Sequence, residues 1–322
     1  MQIVLLESLG ISDSIIEQHR TQLKKMGHTL VTYEKNTDPQ IQAERCRHAD
    51  VIILANMPLA PAAVEQAEQL KFIDVAFTGV DHIPTALAAE KGIAISNASG
   101  YATQAVAELC VSFMIQLLRN IEKTQERARR GGTKDGLIGS LLCGKTVGIV
   151  GAGAIGKRVA ALCGAFGCTV LAYNRSPVSD PWIQRQVSLD ELLSQSDIVS
   201  LHCPLTPETR GLIGQAQLAQ MKESALLINT ARGDVVDQNA LADALHKGRI
   251  AGAACDVFDK EPPLPLDHPL LHTPNTIVTP HIAFASAESL EQRAEIVFDN
   301  LYSWLEGKQK NRIPAAVPSA SK

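Results

Sequence analysis

Short apolar runs alternate with amphipathic stretches along most of the chain. Ile3 to Leu6, Thr29 to Tyr33, Val51 to Ala55, Phe72 to Ala76 and Ile93 to Ser96 have the length and composition of buried strands. Between them, Ser14 to Met26 and Pro61 to Gln69 carry helical spacing. Strands and helices alternating at this interval predict a parallel sheet with helices on both faces. From Thr103 to Arg129, the residues Val106, Leu109, Cys110, Phe113, Leu117 and Ile121 fall on one stripe, which predicts a single long helix linking two domains. A polar, Gly-rich stretch at 131–139 predicts an exposed loop, and a second βα series follows. Its strands are expected at Cys168 to Tyr173, Ile198 to His202, Ala225 to Asn229, Ala251 to Cys255 and Thr276 to Thr279. Ala287 to Gly307 is amphipathic and helical, and the tail beyond it is too polar and Pro-rich to add core. The fold class expected is α/β, with two doubly wound parallel-sheet, Rossmann-like domains.

The second series opens on V-G-I-V-G-A-G-A-I-G at 147–156, where an apolar run passes into three spaced glycines. In a dinucleotide-binding turn, Gly151 would make the bend, Gly153 would let the backbone approach a pyrophosphate, and Gly156 would let the new helix pack on its strand. The helix start then presents unpaired N–H groups and a partial positive charge to the phosphates. Glycines also serve plain turns. The context argues for the nucleotide, because Ile155, Val159, Leu162, Ala165 and Phe166 continue a helical face and C-T-V-L-A-Y supplies the next strand.

Composition narrows the field further. The chain has 322 residues, 45% hydrophobic and 20% charged, enough for two domains with proper cores. A net charge of −4 gives no electrostatic reason to expect nucleic acid or an anionic membrane. Seven cysteines, an odd number without a C-x-x-C pair, indicate neither a disulfide framework nor a zinc site, and no metal is expected. The opening M-Q-I-V-L-L-E-S lacks a basic region and a long apolar run, so a cytoplasmic protein is expected.

Candidate chemistry collects at predicted strand ends. N-T-A-R-G places Arg232 after Leu226 to Ile228, Glu261 follows A-G-A-A-C-D-V-F-D-K, and His281 follows I-V-T-P. Each alone has a plain reading: a surface ion pair, a solvated carboxylate, a helix-start residue. Together they supply a guanidinium that can grip a carboxylate, an imidazole that can donate a proton and a carboxylate to hold that imidazole charged. Reduction of a 2-oxo acid by a nicotinamide needs this set. In the first half, F-T-G-V-D-H after Phe72 to Ala76 is a Gly-containing turn whose amides could hold a carboxylate or could be an ordinary surface turn.

These segments, in order, resemble the D-isomer-specific 2-hydroxyacid dehydrogenases. The resemblance is carried by F-T-G-V-D-H-I at 77–83, N-A-S-G-Y-A-T-Q-A-V-A-E at 97–108, G-K-T-V-G-I-V-G-A-G-A-I-G at 144–156 and H-C-P-L-T-P-E-T-R-G-L-I at 202–213. M-K-E-S-A-L-L-I-N-T-A-R-G at 221–233, D-V-F-D-K-E-P-P at 256–263 and T-P-H-I-A at 279–283 complete it. The resemblance implies Arg232 and the Thr78 and Gly79 amides on the substrate, His281 as acid/base and Glu261 as its partner. It implies Ala154 and Ile155 at the pyrophosphate, Cys203, Pro204, Thr230 and Ala231 along the cofactor, and Asp256 at the nicotinamide carboxamide. It also implies a discontinuous substrate domain of residues 1–100 plus 287–322, a dinucleotide domain of 101–286, an active-site cleft between them, and a homodimer formed through the region near 103–130.

One departure bears on the cofactor. Many NAD-using members carry an acidic residue after the second strand of the nucleotide domain, where this chain has Asn174, Arg175 and Ser176. An acid there accepts hydrogen bonds from the ribose and repels a 2′-phosphate, whereas this trio can bind one, so NADP is expected over NAD, with dual use as the alternative. The function expected is reduction of a small 2-oxo acid, glyoxylate or hydroxypyruvate in kind, to the D-2-hydroxy acid. The alternatives are a nucleotide-sensing, non-catalytic regulator of the corepressor type and a phosphite-type dehydrogenase. A formate dehydrogenase is disfavoured, since that type carries Gln where this chain has Glu261. Met57, Phe77, Tyr101 and Phe284 are the candidates for substrate selection, and neither His82 nor His202 is given a catalytic role.

Overall fold

The structure, a computed structural model, describes residues 1–260 and 263–314. The chain divides into two compact units, one of residues 1–102 with 285–322, the other of residues 103–284. No helix among the described residues is long and apolar enough to cross a membrane.

The first unit is built on five parallel strands: β1 (Gln2–Leu5), β2 (Thr29–Thr32), β3 (Val51–Leu54), β4 (Phe72–Val75) and β5 (Ala94–Asn97). Their order is β2-β1-β3-β4-β5, so the chain reverses direction across the sheet at β1. β3 and β4 are buried at every position, which is why β3 reads as a continuous apolar run and β4 as one broken only by Asp74. The helix Ala287–Leu305 closes this unit. Ser286 caps it by accepting from the Ser289 amide, and Ala294, Val297, Phe298 and Leu301 form its buried stripe. Trp304 stacks on Phe72 of β4 with ring centroids 5.0 Å apart. The chain then returns along β5 through an antiparallel bridge between Ser96 and Arg312.

The second unit holds seven parallel strands: β6 (Thr146–Val150), β7 (Thr169–Tyr173), β8 (Arg185–Gln186), β9 (Ile198–Leu201), β10 (Leu226–Asn229), β11 (Gly252–Cys255) and β12 (Thr276–Val278). Their order is β12-β11-β10-β9-β6-β7-β8. The chain runs outward from β6 in one direction and restarts at β9 in the other, so the switch point lies between β6 and β9. Ligands of open α/β sheets bind at such a reversal, beyond the carboxyl ends of the strands.

Two sequence expectations change. The stripe from Thr103 to Arg129 is not one helix but two, Thr103–Leu118 and Ile121–Arg129. Asn120 between them sits in the left-handed region at φ 51°, which an Asn tolerates and a helix interior does not. The apolar stripe survives the break because it reports burial, not backbone continuity. The two-residue edge strand β8 carries no periodic signal, being polar and exposed at both positions.

Candidate active site

In the second unit, β6 runs into the glycine turn and the helix Ala154–Ala165. Gly151 takes φ 95°, and a Cβ on it would stand 2.7 Å from the Cys203 amide nitrogen and 2.8 Å from the His202 carbonyl carbon. The backbone of residues 202–203 therefore packs directly on Gly151. Gly156 meets the Gly151 carbonyl in the same manner. Gly153 differs, since nothing lies within 4 Å of where its Cβ would be. The first intrahelical bond runs from Lys157 N–H to the Gly153 carbonyl (2.9 Å), and no side chain caps the helix. The Ala154, Ile155 and Gly156 amides thus have no partner among the described residues, and a free face opens over Gly153. These features fit a dinucleotide pyrophosphate.

At the end of β7, Asn174 ties this turn down, its Oδ1 accepting from the Ala152 amide (3.1 Å). Its Nδ2 donates to the Ser176 carbonyl and hydroxyl (3.0 and 3.1 Å), and Gln186 of β8 donates to the Asn174 carbonyl (2.9 Å). Arg175, at the tip of this braced turn, is exposed. The Glu208 carboxyl is held below its usual range chiefly by a hydrogen bond from Thr206, with the Arg175 charge the smallest of the causes.

Beyond β9, Cys203 is buried and Pro204 is exposed. His202 contacts Ser200 (Nε2 to Oγ, 2.9 Å), and desolvation pulls its imidazole down to about 3, which favours the neutral ring. Beyond β10, Asn229 organises N-T-A-R: its Oδ1 accepts from the Ala231 amide (3.1 Å) and its Nδ2 donates to the Arg232 carbonyl (3.0 Å). Thr230 and Cys110 make a 3.1 Å contact through Oγ1 and Sγ. Arg232 is half-buried and donates from Nη1 to the Ala231 carbonyl (2.8 Å). The next residue, Gly233, lies so close to the Phe258 carbonyl that no Cβ would fit. The loops after β10 and β11 are therefore packed backbone to backbone beside Arg232. Glu261 lies outside the described residues.

The His281 turn is the most tightly specified part. His281 has φ 56°, and its amide donates to the Asp256 carbonyl (2.8 Å) and the Thr279 carbonyl (3.0 Å). The Asp256 carboxylate accepts from Thr279 Oγ1 (2.5 Å), the Ile282 amide (2.8 Å) and the Ala283 amide (2.8 Å). Asp256 is fully buried, and that burial raises its carboxyl above the usual range against the opposing pull of these bonds and of His281. The Phe284 ring meets the His281 imidazole edge-on, centroids 5.6 Å apart. Asp256 thus holds the backbone at His281 and just after it, and the Thr279 hydroxyl just before it, a role its motif position did not disclose.

In the first unit, Thr78 is exposed and Gly79 partly so, after β4. Neither amide makes a hydrogen bond among the described residues. Of the side chains considered for substrate selection, Phe77 and Tyr101 lie 6.3 Å apart by ring centroids. Met57 is buried in a loop whose shape is set by Glu7, which accepts from the Ala55 and Met57 amides (2.8 Å each). Sequence reasoning missed Asn229, Asn97 and Thr279. A signal existed for the first two, since L-L-I-N and A-I-S-N are apolar strands closing on a carboxamide, a group that must be spent on something when buried.

Comparison with known proteins agrees with this geometry. Residues 111–283 match the family model for the NAD binding domain of D-isomer specific 2-hydroxyacid dehydrogenases. A glycerate dehydrogenase of Methylorubrum extorquens is 38% identical over 301 residues, 89% of this chain and 93% of its own. A glyoxylate reductase of Thermofilum pendens is 40% identical over 295 residues, 87% and 86% of the two chains. Among solved structures, an acyclic imino acid reductase in complex with NADPH and D-Arg superposes with a TM-score of 0.90 at 28% identity, over 98% of this chain and 100% of its own.

Proposed function

The chain belongs to the D-isomer specific 2-hydroxyacid dehydrogenase family, oxidoreductases acting on 2-hydroxy acids, and from that premise we propose that it reduces a small 2-oxo acid, glyoxylate or hydroxypyruvate in kind, with NADPH preferred over NADH. When bound, the dihydronicotinamide supplies the hydride that reaches the C2 carbonyl. Arg232 grips the substrate carboxylate and carbonyl with its planar fork. The Thr78 and Gly79 amides bind the same anion, and His281 gives its proton to the oxygen as negative charge develops there. Glu261 is assigned to His281 as its carboxylate partner.

The observation that carries this reading is the His281 turn. A histidine held at positive φ by Asp256 and Thr279 costs conformational energy, and such cost is retained where a side chain must be aimed. Arg232 follows β10, Asp256 follows β11 and His281 follows β12 at the same end of the sheet, so guanidinium and imidazole issue from strands separated by one neighbour. Support for NADPH is the exposed Arg175 on a braced turn with no acid at position 174. The alternative is dual use of NADH and NADPH. The exposed Leu141 (67%) and Phe166 (47%), which line one surface pocket with Ile115 and Leu118, support a homodimer through the region near 103–130, which Leu141→Asp would turn into a monomer on a sizing column.

A panel of 2-oxo acids assayed with both reduced cofactors tests the proposal. The expected result is turnover of the small acids, faster with NADPH. Dinucleotide binding without turnover of any acid would leave a sensing role instead. Arg232→Lys keeps the charge and loses the fork, so KM should rise while kcat falls.

A further inference from the structure

We infer that Asn97 is a positioning residue for the substrate anion, aiming the Gly79 amide from the neighbouring strand. The inference rests on the reading that the Thr78 and Gly79 amides bind the substrate. In a trans peptide the C=O and the following N–H point to opposite sides of the chain, so fixing a carbonyl fixes the next amide. The Ala98 amide donates to the Phe77 carbonyl (3.1 Å), which turns the Thr78 N–H away from the sheet. Asn97 Nδ2 donates to the Thr78 carbonyl (2.6 Å), which turns the Gly79 N–H the same way. Two adjacent donors are left pointing outward with no partner among the described residues, a shape suited to a carboxylate.

Gly79 has no side chain to brace its peptide, so without Asn97 the 78–79 unit could rotate and present a carbonyl where the donor stood. A carbonyl facing a carboxylate is repulsive, so the effect of losing Asn97 exceeds the loss of one contact.

Asn97 is itself immobilised. Its amide donates to the Asn311 carbonyl (3.1 Å) and its carbonyl accepts from Asn300 Nδ2 (3.0 Å). Asn311 Nδ2 in turn donates to Asn300 Oδ1 (2.8 Å), and Asn300 Nδ2 also reaches Asp74 Oδ1 (3.0 Å). Asn300 is fully buried with both ends of its carboxamide engaged, so it has one orientation available and fixes the Asn97 backbone, from which the nearly buried Asn97 side chain reaches Thr78. The last helix and the return segment therefore set the geometry of a loop more than two hundred residues earlier.

Asn97→Ala removes the donor and Asn97→Asp replaces it with an isosteric acceptor. With Asn97→Ala, KM for the 2-oxo acid should rise roughly ten- to a hundredfold, the range for losing a hydrogen bond to a charged group, while cofactor affinity stays put. Asn97→Asp should be worse at about pH 8, where a carboxylate faces the Thr78 carbonyl, and should recover toward wild type as pH falls to about 5 and below, because burial against a carbonyl oxygen raises the pKa of the acid and its protonated form can donate again. Because this side chain is isosteric, the variant serves even if alanine disturbs folding. A wild-type KM in Asn97→Ala, or an Asp-to-wild-type KM ratio that does not move with pH, overturns the inference. A wild type that reduces no 2-oxo acid and binds no oxamate overturns the functional reading beneath it instead, so the two failures are told apart.

Discussion

The two units each leave backbone amides without a partner among the described residues at a strand end, where the proposed function places an anion, and they arrive at those amides by opposite means. In the second unit the donors at Ala154 to Gly156 are free because every helix leaves its first N–H groups unpaired, and the three glycines that shape the approach lie within six residues. In the first unit the donors at Thr78 and Gly79 are free because Ala98 and Asn97, at the end of β5, hold the Phe77 and Thr78 carbonyls, and the last helix and the return segment in turn hold Asn97. One cradle is a property of a short peptide, the other of a folded unit. The first should fail only by steric damage to its own turn, the second by changes far away in sequence.

The largest expected effect tests the local cradle. Gly151→Ala asks an L side chain to adopt φ 95° and sets its Cβ against the Cys203 and His202 backbone. Left-handed strain together with forced displacement of a neighbouring strand end should weaken dinucleotide binding roughly a hundred- to a thousandfold. Binding is read by quenching or calorimetry, and circular dichroism checks that the first unit keeps its structure. Near-native affinity in this variant would mean that the phosphates do not lie on the glycine turn.

Next comes a remote tie inside the second unit. Asp256→Asn keeps volume but replaces one acceptor oxygen by a donor, which then opposes either the Ala283 amide or the pair from Thr279 and Ile282. The His281 turn should loosen, and kcat should fall roughly ten- to a hundredfold with cofactor affinity little changed, as expected when aim rather than binding is lost. A weaker cofactor at unchanged kcat would assign Asp256 to the nicotinamide carboxamide alone.

How far the sequence discloses the molecule follows the same division. The strands, the glycine turn and the order of the motifs are written in runs of a few residues, and each was readable because its cause is local. The break at Asn120 was hidden because an apolar stripe continues through it. Asn97, Asn229 and Asp256 were visible as residues but not as roles, since each acts on backbone groups that only the fold brings near. The motif at 256–263 pointed to Asp256 without saying that its oxygens are spent on the His281 loop.

A smaller effect belongs to the rim of the local cradle. Arg175 is exposed, so its pairing with a 2′-phosphate is partly screened, and its removal should cost NADPH about tenfold in kcat/KM while leaving NADH nearly unchanged. Equal losses with both cofactors would show that Arg175 braces the turn rather than reads the phosphate.

The smallest effect isolates the remote network from its task. Asp74 lies at the centre of β4, fully buried, with Oδ1 bonded to Asn300 and Oδ2 without a partner among the described residues. Burial pushes its carboxyl well above the usual range, with the Asn300 bond opposing. A carboxyl whose folded pKa lies above its unfolded one favours folding below the unfolded pKa and gives that contribution up as pH rises toward the folded value. The wild type should therefore lose stability from about pH 4 upward on account of this residue. Asp74→Asn cannot ionise and retains an oxygen for Asn300, so its Tm should exceed that of wild type by a few degrees at about pH 8 and by progressively less toward about pH 4. Its KM for the 2-oxo acid should stay near wild type, because the Asn300, Asn97 and Thr78 links remain. A Tm difference that is flat across this pH range would mean that Asp74 is already paired when ionised, and a raised KM would mean that its charge state reaches the Thr78 loop.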